Sequence, residues 1–461
     1  MSKKKAAPLF EEFPPVFAKA WKQKIQYDLK GADYNKELVW KSREGIHVKP
    51  FYNKEDSGDT CSSMDSEKTW KIGQSIYAGV AEKANKMALK FLERGVERLH
   101  FSVPNEGIQF KALLKNIDLQ KIQVSFHFSF LSASYVESLL NSVDKGKSKI
   151  HLNIDIIGNL ARTGNWFHNL TEDHKILERL LKTEADNLLS VDTTLYENAG
   201  ADIVQQLGYG LAHAHEYIHH LYEKGILDGI EKFTFNVAIG SNYFFEIAKL
   251  RALRLLWYTL MDEYGLDMDC HLVAEPSRRN KTVYDYNMNM VRTTTECMSA
   301  ILGGAHVVFN QPYDRLYHKD NAFSSRIALN QLLIFKEEAY LDKVQNAADG
   351  AYYMESLTRQ LAEKALILFK TVEKEGGFLK QLKGGAVQQS IREAANRQQE
   401  QFNKGTEVLV GTNKFLNSSD RMKEDLELYP FIKNHPRKTL IEPIIESRLS
   451  EVMEQNRLKD E

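Results

Sequence analysis

His215, Glu216 and His219 stand in the order His-Glu-Tyr-Ile-His, the spacing with the sharpest chemical meaning in the chain. On a helix, two histidines four apart reach one Zn²⁺ while the intervening glutamate activates its bound water. The helix around them argues for a different use. Val204, Leu207, Leu211, Ala214, Ile218 and Leu221 recur at spacings of three and four, which makes them the buried stripe. His215 and His219 then fall on its flank, with Glu216 roughly opposite. A third ligand has one candidate, Glu246 on the next long helix, and nothing in the sequence fixes it there. The expectation is a half-solvated histidine helix without metal.

A second cluster is Asp269-Cys270-His271. An Asp-x-His-x-x-Gly run lets a histidine ligate the cobalt of cobalamin, but Ala274 stands where the glycine belongs. The segment reads as an interior strand, so His271 is expected to be packed and hydrogen-bonded. The chain contains neither GxSxG nor GxxxxGK. Asp155 and Asp192, at strand ends, are expected to cap the helices that follow.

From residue 96 onward, β-rich runs alternate with helical periodicity. The strands expected are Val96 to Val103, Ile122 to Phe128, Lys149 to Asp155, Asn187 to Thr193, Phe233 to Ala238, Asp269 to Glu275 and Ala305 to Gln311. Tyr340 to Val344 is a weak candidate for an eighth. Helices are expected over Val80 to Glu93, Ala133 to Val143, Asp173 to Lys182, Ala199 to Lys224, Asn242 to Glu263 and Val283 to Leu302. Strands interleaved with helices form a parallel sheet, and seven or eight units over about 250 residues point to an α/β fold of the (β/α)8 TIM-barrel type. A helix beginning near Ala199 puts His215 about 24 Å along its axis at ~1.5 Å per residue, away from the face where barrel enzymes keep their chemistry.

Outside this repeat lie an N-terminal arm over 1–60 and a C-terminal helical wrapping segment over 346–461, leaving 61–345 for the barrel. Within the C-terminal segment, 355–376 and 387–402 read as helices punctuated by Gly376-Gly377 and Gly384-Gly385. The tail from 439 is charged and amphipathic.

Charge narrows the partners. Sixty-one basic residues against sixty-two acidic leave no field to attract nucleic acid or an anionic membrane, so neither is expected as a partner. Lys3 to Lys5, followed by Glu11 and Glu12 without an apolar stretch, do not resemble an export signal. Cys61, Cys270 and Cys297 are too few and scattered for a disulfide framework. A cytoplasmic protein with free thiols is expected.

Several segments carry a resemblance. Phe13-Pro14-Pro15-Val16, Asp28-Leu29-Lys30-Gly31-Ala32, and Glu44-Gly45-Ile46 through Pro50-Phe51-Tyr52 are similar to the opening of methylmalonyl-CoA mutase chains. The likeness continues through Trp70-Lys71-Ile72, Tyr77-Ala78-Gly79, Asn198-Ala199-Gly200-Ala201, Phe244 to Ala252 and Val291-Arg292-Thr293. It ends with Ser325 to Gln331 and Gly411 to Phe415. The resemblance implies a barrel with an arm and a wrapping segment. In active relatives it implies an acyl-CoA site paired with a C-terminal cobalamin domain, which together interconvert methylmalonyl-CoA and succinyl-CoA through an adenosyl radical.

Departures from the family pattern set the functional expectation. Only 46 residues follow Phe415 here, too few for a domain of about 100 residues that would hold cobalamin. The family's Tyr-His pair falls on Thr194 and Leu195, and neither side chain can steady a carbonyl or shield a radical as that pair does. The arginine after the family's Trp-Thr-Ile motif is Gly73, and its Gly- and Asp-rich loop is replaced by Pro104-Asn105-Glu106-Gly107. Tyr77, Thr194 and Asn198 are left as candidates for a vestigial substrate pocket, with no catalytic and no metal-binding residue expected. The resemblance thus implies a small, non-catalytic subunit, inactive alone. It would be the partner of a catalytic large subunit that supplies adenosylcobalamin, with no cofactor bound by this chain by itself. The alternative is the catalytic barrel of a split acyl-CoA mutase, borrowing cobalamin from a separate chain.

Overall fold

A computed structural model describes residues 13, 16–57, 69–144, 148–183, 187–227, 229–432 and 437–461. Lys3 to Lys5, Glu11, Glu12, Pro14, Pro15 and Cys61 lie outside them.

Eight parallel strands close into a barrel. They are β1 (Lys71–Tyr77), β2 (Arg98–Val103), β3 (Gln123–Phe128), β4 (Ile150–Ile154), β5 (Asn187–Asp192), β6 (Lys232–Ile239), β7 (Asp269–Pro276) and β8 (Val307–Phe309). β8 closes the ring against β1, pairing Val307 with Lys71 and Phe309 with Gly73. All seven strands read from the sequence after residue 96 are present. The eighth is a correction: Tyr340 to Val344 forms a turn after a short π-helix, and Tyr340 has φ +54°. The missing strand is β1, upstream. Its sequence, Lys-Ile-Gly-Gln-Ser-Ile-Tyr, turns Gly73 and Ser75 toward the lumen in place of apolar side chains, so no apolar run marks it.

The outer layer follows the helical periodicity with shifted ends. Helix α1 (Ala81–Leu92) follows β1, and α2 (Ala133–Asn141) follows β3. After β4 comes α3 (Ile156–Thr163), which the sequence reading did not isolate, and then α4 (Leu170–Leu181). The helix expected to begin near Ala199 is two elements, the turn α5 (Thr194–Asn198) and the long α6 (Ile203–Glu223). Gly200 breaks them at φ +98°, where a Cβ would also meet Ala395 at 2.6 Å. Asp202 and Gln205 then restart the helix with a capping box. Helices α7 (Tyr243–Tyr264) and α8 (Asn287–Leu302) complete the crossovers before β8.

The C-terminal segment is joined to the barrel by a continuous apolar core. In α9 (Tyr352–Lys374), Leu357, Leu361 and Ala365 share one buried cluster with Leu207 and Leu211 of α6 and Leu250 of α7. The tail from 439 is helical only over α10 (Glu451–Asp460). Before that it runs without regular structure across the strand-end face, where Ile444 N donates to Ala161 O and Ser447 N to Asn198 O. No helix among the described residues is long and apolar enough to cross a membrane.

Candidate functional site at the barrel mouth

In a strand, residues two apart share a face, and barrel lumens are ordinarily filled by layers of bulky branched side chains. Here the lumen positions are polar: Arg98, His100 and Ser102 on β2, Gln123, Ser125 and His127 on β3, and His151 and Asn153 on β4. This two-residue polar period was visible in the sequence and is the signal by which the site residues missed there could have been found.

At the N-terminal end of the strands these groups close on one another. Arg98, fully buried, has Nη1 2.8 Å from His271 Nε2 and donates from the same nitrogen to Gln123 Oε1 at 3.3 Å; Gln123 Nε2 lies 2.5 Å from His151 Nε2. Burial, then the charges of His306 and Arg98, hold His271 well below its ordinary pKa, and burial and Arg98 do the same to His151. Both imidazoles are therefore neutral. His271 is packed and hydrogen-bonded, as expected, and its nitrogen, committed to Arg98 inside the barrel, does not fit a cobalt ligand.

At the C-terminal end the lumen opens into a cavity of about 450 Å³. Its aromatic lining includes Phe128, Phe130, Phe167 and Phe309, and its charged rim includes Arg162, Asp192, Glu275, Arg278 and Arg315. Arg162 is clamped between Asp192 at 2.6 Å and Glu446 of the tail at 2.5 Å. Asp155 caps α3 as expected, accepting from Gly158 N at 2.7 Å, and also accepts from Tyr217 Oη at 2.8 Å with His213 Nε2 3.0 Å away. Burial works to raise the Asp155 pKa, but His213 and the backbone donors outweigh it and hold the carboxyl below its ordinary value. Asp192 accepts from both N and Oγ1 of Thr194, at 3.1 and 2.5 Å.

The residues singled out by sequence are dispersed. Thr194 alone of the pocket candidates lines the cavity, with its hydroxyl committed to Asp192. Leu195 is 1% exposed and packed away from the cavity in the core. Tyr77 is 65% exposed, and its ring folds over Gly79 outside the cavity. Asn198 is buried beside the mouth, where Oδ1 accepts from Arg278 N at 2.8 Å, and so fixes a loop. Gly73 is an enforced glycine, because a Cβ there would lie 2.7 Å from the Phe309 ring. A Tyr-His hydrogen bond exists between Tyr196 Oη and His213 Nδ1 at 2.9 Å, but both are fully buried and neither borders the cavity.

The His-Glu-Tyr-Ile-His run lies elsewhere. His215 is held by Glu373 at 3.0 Å and Tyr264 Oη at 2.7 Å. Glu216 accepts from Leu379 N at 2.7 Å, and His219 is exposed. Glu246 is buried in an ion pair with Lys249 on α7. No group of three or more His, Cys, Asp or Glu among the described residues is placed to hold a metal.

The methylmalonyl-CoA mutase family profile matches residues 105–451, three quarters of the sequence. The chain belongs to the methylmalonyl-CoA mutase family. It is 34% identical over 448 residues to a methylmalonyl-CoA mutase small subunit of Porphyromonas gingivalis, covering 90% of this chain and 72% of that protein. It is 28% identical to a small subunit from Streptomyces virginiae, over 90% of this chain and 73% of the relative. A methylmalonyl-CoA mutase of Cereibacter sphaeroides is also 28% identical, and there the chain spans 66% of the relative's length.

Proposed function

We propose that this chain is the non-catalytic small subunit of a heterodimeric, adenosylcobalamin-dependent methylmalonyl-CoA mutase. In this reading the large subunit interconverts methylmalonyl-CoA and succinyl-CoA and holds the cofactor. The observation that carries it is at the β1–β8 seam. The Phe309 ring fills the space into which a side chain at position 73 would project, so no arginine can reach the mouth from there without displacing that ring. Thr194 and Leu195 support the same reading, one locked to Asp192 and the other buried in the core. The small-subunit relatives from P. gingivalis and S. virginiae agree with it.

The 450 Å³ cavity is the feature that favours the alternative, a catalytic barrel borrowing cobalamin from a separate chain. One experiment separates the two. The chain is mixed with an isolated cobalamin-binding subunit and, separately, with a full-length large subunit. The proposal expects a stable complex with the large subunit and no turnover of methylmalonyl-CoA with the cobalamin subunit; turnover there overturns it. Cytoplasmic residence is part of the same proposal, and fractionation of the producing cells tests it.

A further inference from the structure

The three arginines at the mouth differ in what they already bind. Arg162 is fully engaged by Asp192 and Glu446. Arg278 is not: Glu275 and Glu446 stand 3.8 and 3.7 Å from it, beyond hydrogen-bonding distance, and its buried Nε has no partner among the described residues. Arg315 lines the same cavity, and among the described residues its guanidinium has no hydrogen bond or ion pair. Partial desolvation at the rim, then the like charge of Arg278, lowers the pKa of this exposed arginine from the ordinary value. Two guanidiniums that repel one another, with donors to spare, face one cavity of small-molecule size.

The rest of the lining restricts what fits. Phe128, Phe130 and Phe167 make an apolar wall, and the His127 ring lines the cavity with no hydrogen bond to any described residue. Asp192, Glu275 and Glu446 at the same rim oppose a ligand with a second negative charge. The Arg98–Gln123–His151–His271 cluster fills the lumen below, so the ligand enters and leaves by the mouth. We propose that this cavity binds a small organic monocarboxylate, its carboxylate held between Arg278 and Arg315 and its apolar body against the phenylalanine wall. Such binding needs neither a catalytic pair nor cobalamin, so it stands or falls separately from the subunit role.

The test is calorimetric titration of the full chain with butyrate, hexanoate, benzoate and inorganic phosphate. Hexanoate and benzoate are expected to bind, at least tenfold more weakly in R278Q and in R315Q, with partial recovery in R278K. Both arginines are at the rim, so the unliganded melting temperatures of the variants are expected to match the parent. S102F, which places a ring in the cavity from β2 and leaves both arginines in the sequence, is expected to abolish binding. The proposal is overturned by the absence of heat with every carboxylate, by undiminished affinity in both glutamine variants, by binding that survives S102F, or by phosphate binding as tightly as hexanoate.

Discussion

The floor and the mouth of the barrel lie at opposite ends of one lumen, yet they treat polar groups in opposite ways. At the floor, Arg98, Gln123, His151 and His271 bond to one another in a buried layer. At the mouth, His127 near the end of β3, and Arg278 and Arg315 in the loops that follow β7 and β8, keep hydrogen-bonding capacity that no described residue uses, around an open cavity. A polar lumen is therefore not by itself an active site. It becomes a binding site only where the network stops satisfying its own members, because a buried donor without a partner costs free energy that a ligand or water can recover.

The largest effect should come from breaking the floor. Arg98→Met keeps much of the side-chain volume but strands the acceptors of Gln123 and His271. At about 1–3 kcal/mol for each buried polar group left unsatisfied, the loss of stability should be about 3 kcal/mol, read by urea denaturation. A loss below ~1 kcal/mol would show that the layer is not a closed network.

Acidification should strike the same layer. His151 and His271 are held neutral, with folded pKa values below the unfolded ~6.5. Below that pH the unfolded chain binds protons that the folded chain refuses, so stability falls as pH drops from about 6.5, by up to ~1.4 kcal/mol per pH unit for each histidine. Denaturation midpoints from pH 7.5 to 5 measure the slope, and H271N should flatten it. An unchanged slope in H271N would assign the acid sensitivity to other groups.

At the β1–β8 seam, Gly73→Ala drives a methyl against the Phe309 ring and should cost about 1–3 kcal/mol. The second change Phe309→Ala should recover part of that cost, so the double-mutant cycle gives a favourable coupling; additive losses would place the strain elsewhere. The smallest effect belongs to the rim. Arg278→Gln, removing a half-exposed arginine without a close ion pair, should change stability by less than ~0.5 kcal/mol, and a loss comparable to that of Arg98→Met would erase the contrast between floor and mouth.

Much of the architecture was legible because its signals are local. Alternation of β-rich runs and helical stripes marked seven strands, and the capping role of Asp155 followed from its place at a strand end. The β1 strand was not legible, since a strand bordering a cavity and a neighbouring ring carries glycine and serine where an apolar run would announce it. The site was legible only in part. Thr194 reached the cavity, but Tyr77, Leu195 and Asn198 did not, because a motif position specifies a residue's place along a strand end and not which way the following turn aims it. His127, Arg278 and Arg315 went unnoticed because none sits in a motif.

By itself the sequence determined a (β/α)8 barrel of the methylmalonyl-CoA mutase family, along with the residue types at Gly73, Thr194 and Leu195. Those follow from periodicity and identity, which need no knowledge of distant contacts. Only the tertiary structure decided that Phe309 occupies the space beside Gly73, that the tail's Glu446 neutralises Arg162, and that Arg278 and Arg315 face one cavity. Each of these joins segments far apart in the chain, and closure of the barrel brings them together.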